Sequence, residues 1–330
     1  MTIIIADDIG KPVARAFSAL ATASTSQFGA IHESGFSSIW RAENGMAFRH
    51  GVPNALTNPN CHFYIGDTED LLAKAHEMIP QLHPSKSADG WTIEMLNIPI
   101  GRVFPRLARP HHQHPGNFPT PRMQGQAPHE RAAGHLQAAS LVSRLEKSFE
   151  YVDPDKDNLD AFGGEFRNIL ILAATEFETQ CKGILRANGY SSKPESHWNT
   201  NDYFKLEAAA RLGDYSVRLS NYPWIEEVSP FRNWDGDAPT KSLGWYDAYN
   251  SVKHDREKHF KLATVLNAIS AVSAVAIIGL AQHGIQYFRK PRTLGEFFHV
   301  VERPAWSIGD TDGQDFGSTI QLEKICYPFT

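Results

Sequence analysis

The stretch KSLGWYDAYNSVKHDREKHFKLATVLNAISAVSAVAIIGLAQHGIQYF, residues 241–288, decides how the rest of the chain is read. From Leu262 to Phe288 it holds no Asp, Glu, Lys or Arg. A charge-free apolar run of that length qualifies as a membrane-spanning candidate. Thr264, Asn267, Ser270, Ser273, Gln282, His283 and Gln286 interrupt it, and basic residues flank both ends (Lys258 and Lys261 before, Arg289, Lys290 and Arg292 after). With no inside-positive bias, a central helix walled in by its neighbours is the expectation, and no membrane partner is expected. The sequence predicts one long helix from near Ser242 to about Phe288.

Two further helices are predicted upstream to cover it. Ala138, Leu141, Val142, Leu145, Phe149 and Val152 form one apolar stripe, ended by Asp153-Pro154. Phe162, Phe166, Ile169, Ala173, Phe177, Cys181 and Ile184 form a second, within a helix expected over 159–188 and stopped by Gly189. A short helix is expected over 202–211. The segments 296–301 and 321–327 read as closing strands or extended tails.

The remainder of the chain is less periodic. Ile3–Ile5, Cys61–Ile65 and Trp91–Val103 have β character, and TEDLLAKAHEMI after Asp67 has the spacing of a helix. Residues 24–60 carry Gly, Ser, Asn and Pro throughout and show no clean period. Pro105–Pro128 holds six prolines, three arginines, three histidines and no acid, the composition of a linker. His111, His112 and His114 within it lack the rigid backing a metal site needs, so no metal or other cofactor is expected. The expected organisation is a mixed α/β region over 1–104, a linker over 105–128, and a helical domain with an extended tail over 129–330. The fold class expected is mainly α: a C-terminal helical bundle preceded by a small mixed α/β region.

Composition narrows the setting. The 330 residues carry a net charge of -5, which argues against coating nucleic acid or anionic membrane by bulk charge. Three widely spaced cysteines form neither a CxxC pair nor a disulfide framework, and the acidic N-terminus is unlike a secretory signal, so the cytoplasm is the expected compartment. No Walker loop, HExxH, nucleophile elbow or dinucleotide GxGxxG is present. Glu178 and Lys182 read as an i,i+4 ion pair rather than half of a carboxylate site.

The chemistry-bearing segment is 245–256. On a continuous helix Asn250, Lys253, His254, Glu257 and Lys261 share one face, opposite Trp245, Tyr249, Val252 and Phe260. Asn250 and His254 are i,i+4 neighbours, so the amide can orient an imidazole whose ordinary pKa lies near ~6.5. Lys253 is placed to hold an anion such as a phosphate. Trp245, Tyr246 and Tyr249 are candidate stacking surfaces for bases. Arg256 falls toward the apolar face and needs a carboxylate there, for which Glu176 is the candidate partner. The plain alternative is a solvated helix face with one ordinary histidine.

FEYVDP (149–154), EFRNILILAATEFETQCK (165–182) and PTKSLGWYDAYNSVKHDR (239–256) resemble a family of uncharacterised bacterial proteins that is itself similar to the HEPN superfamily. The resemblance spans roughly 135–305. It implies a dimeric helical domain and, in many members, metal-independent ribonuclease activity in toxin or antiviral systems. The HEPN motif is an Arg, often followed by a polar residue, with a His further along the helix. Here Asn250 matches the polar position and His254 the catalytic histidine, but Tyr249 stands in place of the Arg. The resemblance thus implies a ribonuclease with His254 as general acid or base, Asn250 orienting it and Lys253 on the phosphate. RNA or a nucleotide would be the ligand and a second copy the partner. The alternative is a non-catalytic dimerisation, nucleotide-binding or partner-binding module.

Overall fold

The computed structural model describes residues 4–6, 12–14, 26–52, 54–66, 70–109, 128–288, 294–311 and 323–329. Its N-terminal part is built on a β-sheet. Beyond a short hairpin of β1 (Ile4–Ala6) and β2 (Pro12–Ala14), five strands form one antiparallel sheet: β3 (Ser26–His32), β4 (Ser37–Glu43), β5 (Met46–Arg49), β6 (His62–Tyr64) and β7 (Trp91–Met95), in the order β6-β5-β4-β3-β7. Helix α1 (Leu71–Leu82) packs on one face, with the Asp70 carboxylate capping it through the Leu72 amide at 2.9 Å. Phe28, Trp40, Phe63, Ala75, Ile79 and Ile93 form a separate small core between sheet and helix.

Three of these strands come from residues 24–60, where the sequence shows no period. In β4 the inward residues are Ser38, Trp40 and Ala42, while Ile39 faces partly outward, so the polarity alternation is blurred. Trp40 is fully buried and donates its indole N–H to Ser38 Oγ at 2.8 Å, which explains a serine on the core face. In β3 both faces are covered from Phe28 to His32, which removes any alternation. One signal does mark the hairpin: Asn44-Gly45 joins β4 to β5 with positive φ at both residues (53° and 76°), the pair a type I′ turn requires.

The second part is a layer of long helices around a buried one. Helices α2 (Pro128–Phe149), α3 (Gly164–Ala187) and α4 (Gly244–His254) pack on α5 (Val265–His283). The expected stripes of α2 and α3 are buried almost throughout, with Phe162, which precedes α3, 46% exposed. Gly189 takes φ +70° just past α3, as the stop signal requires. The short helix expected over 202–211 is split into Thr200–Tyr203 and Lys205–Ala210. Strand β9 (Ser216–Leu219) pairs antiparallel with β10 (Phe298–Glu302) beside the helices.

Helix α5 is long and apolar enough to cross a membrane by length and composition, and 83% of its most apolar window is buried inside the protein. Its packing against α2, α3 and α4 accounts for the absence of charge.

Four expectations are corrected. Helix forms 48% and strand 16% of the structure, so the fold is mixed α/β with a substantial antiparallel sheet, not a mainly helical bundle. The single helix expected from 242 to 288 is broken: α4 ends at His254, a short helix spans Arg256–His259, and α5 starts only at Val265. Asp255 breaks it by adopting φ −143° and accepting from the Lys258 amide, and Thr264 caps α5 by accepting from the Asn267 amide at 3.2 Å. These caps compete successfully with helix continuation. The expected linker begins as core: Leu107, Ala108 and Arg109 are buried, while His111, His112 and His114 lie outside the described residues. Finally, the two expected domains are not consecutive in sequence. β11 (Glu323–Lys324) pairs in parallel with β8 (Arg102–Val103), and Ile308 packs against Gly29 of β3.

Candidate functional site

Helix α4 places the expected site residues on two sides. Trp245, Tyr246 and Tyr249 are all buried, at 3%, 4% and 1% exposure. Trp245 donates to the Pro230 carbonyl at 3.2 Å and meets the Phe177 ring edge-on at 5.4 Å. Tyr246 donates its hydroxyl to Glu178 Oε1 at 2.7 Å, and burial together with that carboxylate pushes its pKa well above the ordinary phenol value. These rings are therefore structural anchors against α3. Their role as open stacking surfaces for bases is corrected, since an intercalating base would first have to displace core.

Lys253 is exposed, but its ammonium turns back onto Tyr249, donating to the phenol oxygen at 2.8 Å and lying 5.0 Å from the ring centroid. The hydrogen bond to Tyr249 raises the lysine pKa above its ordinary value, so the charge is held at the core edge rather than projected over His254. His254, the last residue of α4, is exposed, and Asn250 is half-buried one turn earlier. Among the described residues no hydrogen bond joins the two, and neither lines either of the two cavities described below.

Arg256 is also corrected. It lies in solvent on the short helix after the Asp255 break, which shifts its phase away from the core. Glu176 instead accepts from Gln180 Nε2 at 2.9 Å, within a buried polar row that the sequence did not disclose.

That row crosses the helical layer. Arg106 Nε donates to Gln282 Oε1 at 2.7 Å, Gln282 Nε2 donates to Gln180 Oε1 at 2.7 Å, and Gln180 donates on to Glu176. All three donors point the same way, from guanidinium to carboxylate, through two amides. Gly183 makes room for it: a Cβ there would lie 1.9 Å from Arg106 Nη1. Burial raises the Glu176 pKa. Next to the row, His283 stacks on Tyr287 at 5.5 Å, and burial plus the charges of Arg106 and Arg131 lower its pKa to about 3. His283 is therefore neutral at physiological pH. Arg106 and Glu176 stand 70 residues apart in sequence on unlike elements, so no spacing rule connects them.

Two open cavities lie elsewhere among the described residues. One, of about 790 Å³, is polar and lined by Glu207, Arg211, Asp214, Arg232, Glu302 and Arg303. Its charges are largely paired: Arg232 with Glu302 and Glu227, Arg211 with Asp214. The other, of about 690 Å³, is a groove between the end of α2 and the start of α3, with Tyr151, Val152, Phe162 and Phe166 along it and Arg144 and Lys147 at its edge. Among the described residues no group of three or more His, Cys, Asp or Glu side chains is placed to hold a metal.

No protein-family model matches this chain, and neither a curated protein nor a solved structure matches it.

Proposed function

We propose that this protein is a non-catalytic, cytoplasmic docking module that associates with a second copy of itself through the groove between α2 and α3. The observation that carries this is a set of large apolar side chains left in solvent, Tyr151 and Phe162 lining the groove and Leu266 and Leu262 on the neighbouring start of α5 and the turn before it. Tyr151 is 79% exposed, Phe162 46%, Leu266 43% and Leu262 38%. Phe162 meets Phe260 edge-on at 5.7 Å, and the Leu266 amide donates to the Leu159 carbonyl, so these residues belong to one face. A contiguous apolar face with a polar rim is the usual mark of an interaction surface.

Charge favours a second copy as the occupant. The loop between Val152 and Phe162 exposes Asp153, Asp157 and Asp160, while Lys258 and Lys261 are exposed on either side of Phe260. A two-fold axis through the groove sets the acidic loop of one copy against the lysines of the other, the self-complementarity an isologous interface needs. Light scattering on the full chain is expected to give twice the monomer mass, and Phe162→Glu to give the monomer with unchanged circular dichroism. A monomeric wild type at high micromolar concentration would overturn the proposal.

A second reading is the HEPN-like ribonuclease. It is favoured by His254 lying exposed one turn from Asn250 at the free end of α4. In this reading His254 moves the proton of a ribose 2′-hydroxyl, and cleavage leaves a 2′,3′-cyclic phosphate. Tyr249 cannot supply the positive charge that an Arg would, and Lys253 is engaged with it. RNA cleavage in EDTA that disappears in His254→Ala would establish this reading over the first.

A further inference from the structure

Three features outside the docking face hold unused chemistry: the paired-arginine cavity, the acidic loop ahead of α3, and the seat of the segment 323–329. In the first, most charges already have partners. In the second, Asp153, Asp155, Asp157 and Asp160 follow one another closely, but among the described residues no three acids are placed to hold a cation. The third is different.

The segment EKICYPF, residues 323–329, lies against the body of the protein with every second residue inward. Ile325, Tyr327 and Phe329 are half-buried, while Lys324, Cys326 and Pro328 are exposed. Its backbone pairs with β8: the Glu323 amide donates to the Gly101 carbonyl at 2.8 Å, and the Ile325 amide to the Val103 carbonyl at 3.0 Å. The Tyr327 amide then donates to Asn188 Oδ1 at 3.0 Å. Tyr327 meets Phe104 edge-on at 5.2 Å, and Phe329 meets Tyr190 edge-on at 5.8 Å. Main-chain pairing combined with contacts to alternate side chains is how strand edges capture peptides.

The seat is built without this segment. Asn188, just past α3, is 3% exposed, and its amide nitrogen donates to the Pro105 and Ile184 carbonyls at 2.8 and 2.9 Å. Those bonds fix the side chain so that Oδ1 faces the segment. Tyr190 is held by its hydroxyl, which donates to Asp202 at 2.9 Å, and by the Trp198 ring at 5.4 Å. Arg109 donates to the Ala209 carbonyl at 2.9 Å and lies over Trp306 at 4.4 Å, which sets its guanidinium 5.1 Å from the Tyr327 ring.

The segment itself is lightly held. Only two of its residues pair with β8, and the Arg102–Glu323 ion pair is exposed, at 44% and 64%. Few buried contacts and exposed polar ones mark a stretch that opens locally, without global unfolding.

We propose that β8, Asn188 and the Phe104 and Tyr190 rings form a docking groove for a partner protein's peptide, and that the chain's own segment 323–329 occludes this groove until it is displaced. The segment seated there defines the chemistry of the partner peptide: an aliphatic residue followed by aromatics two and four positions on, with an acid ahead of them to meet Arg102. The groove lies past the far end of α3 from the self-association face. The 24 residues of α3 separate the two. At the usual rise per residue that is roughly 36 Å, so either surface can fail without the other.

The probe is a fluorescein-labelled peptide of residues 323–329 carrying Cys326→Ser, titrated into the full chain and read by anisotropy. Saturable binding is expected to a chain carrying Tyr327→Ala and Phe329→Ala, whose own segment no longer competes. Binding to the wild type is expected to be about tenfold weaker or more, because only the open fraction is competent. A probe with both aromatics replaced by Ala is expected to lose binding to either chain. Hydrogen exchange on the wild type reads the same opening without any substitution: the Ile325 and Tyr327 amides are expected to exchange well ahead of those of α5. Absence of saturable binding to the double variant, equal affinity for both chains, or exchange at Ile325 and Tyr327 only together with α5 would overturn the proposal.

Discussion

The sheet and the helical layer bury their side chains by different means, and the contrast explains much of this molecule. The helical core is continuous: α5 is surrounded, and aromatic rings from α3, α4 and the 231–234 turn interlock around Phe177. The sheet core is small, closed by α1 on one face, and its other face is reached by Ile308 from near the chain's end. A large core tolerates polar passengers such as the Arg106–Glu176 row because surrounding contacts hold the geometry. A small one depends on what covers it, and here the cover comes from residues nearly three hundred positions away.

The largest expected effect sharpens that contrast within the helical layer. Phe177 is fully buried and touches five other rings, so Phe177→Ala is expected to cost about 3–5 kcal/mol in urea unfolding. A loss under about 1 kcal/mol would mean the ring cluster is not the keystone of that core.

Acid is the next lever. His283 has an ordinary pKa of 6.5 and a folded value of about 3, so the unfolded chain binds its proton first. Its contribution is complete above pH 6.5 and declines as pH falls toward 3, with a slope of at most about 1.4 kcal/mol per pH unit. Glu176 has the opposite sign, because its folded pKa is raised and protonation near its titration range favours the native state. Urea midpoints measured from pH 7 to pH 4 are expected to fall in the wild type and to flatten in His283→Gln.

Coupling between the two regions is tested at Gly29. A Cβ there would lie 2.4 Å from Ile308 Cγ1, so Gly29→Ala is expected to cost about 1–3 kcal/mol by overpacking. Adding Ile308→Ala is expected to recover part of that loss, a non-additivity that a double-mutant cycle measures. Purely additive losses would show that the C-terminal segment does not clamp the sheet. The smallest effect is at His254: exposed at a helix end, its replacement by Ala is expected to change stability by no more than about 0.5 kcal/mol.

Legibility followed the same divide. The stripes of α2 and α3 were readable because each helix shows one face to one core. Within 245–256 the helix and its buried face were readable too, but the depth of Trp245, Tyr246 and Tyr249 was not, since an aromatic at helical spacing looks alike at a rim and in an interior. The break at Asp255 was written in its capping pattern, which the helical periodicity running past it obscured, and the β4–β5 hairpin in Asn44-Gly45, which the lack of periodicity around it obscured. The buried row from Arg106 to Glu176 had no local signal at all.

By itself the sequence determined the two long amphipathic helices α2 and α3, where α3 stops, and that a charge-free helix needs neighbours, because these follow from backbone capping and the periodicity of burial along one element. Tertiary structure alone decided that a sheet stands beside the helices, that the chain's end returns to cover it, and which polar groups meet inside. Those outcomes depend on contacts between residues far apart in sequence, whose partners are fixed only when the whole chain has packed.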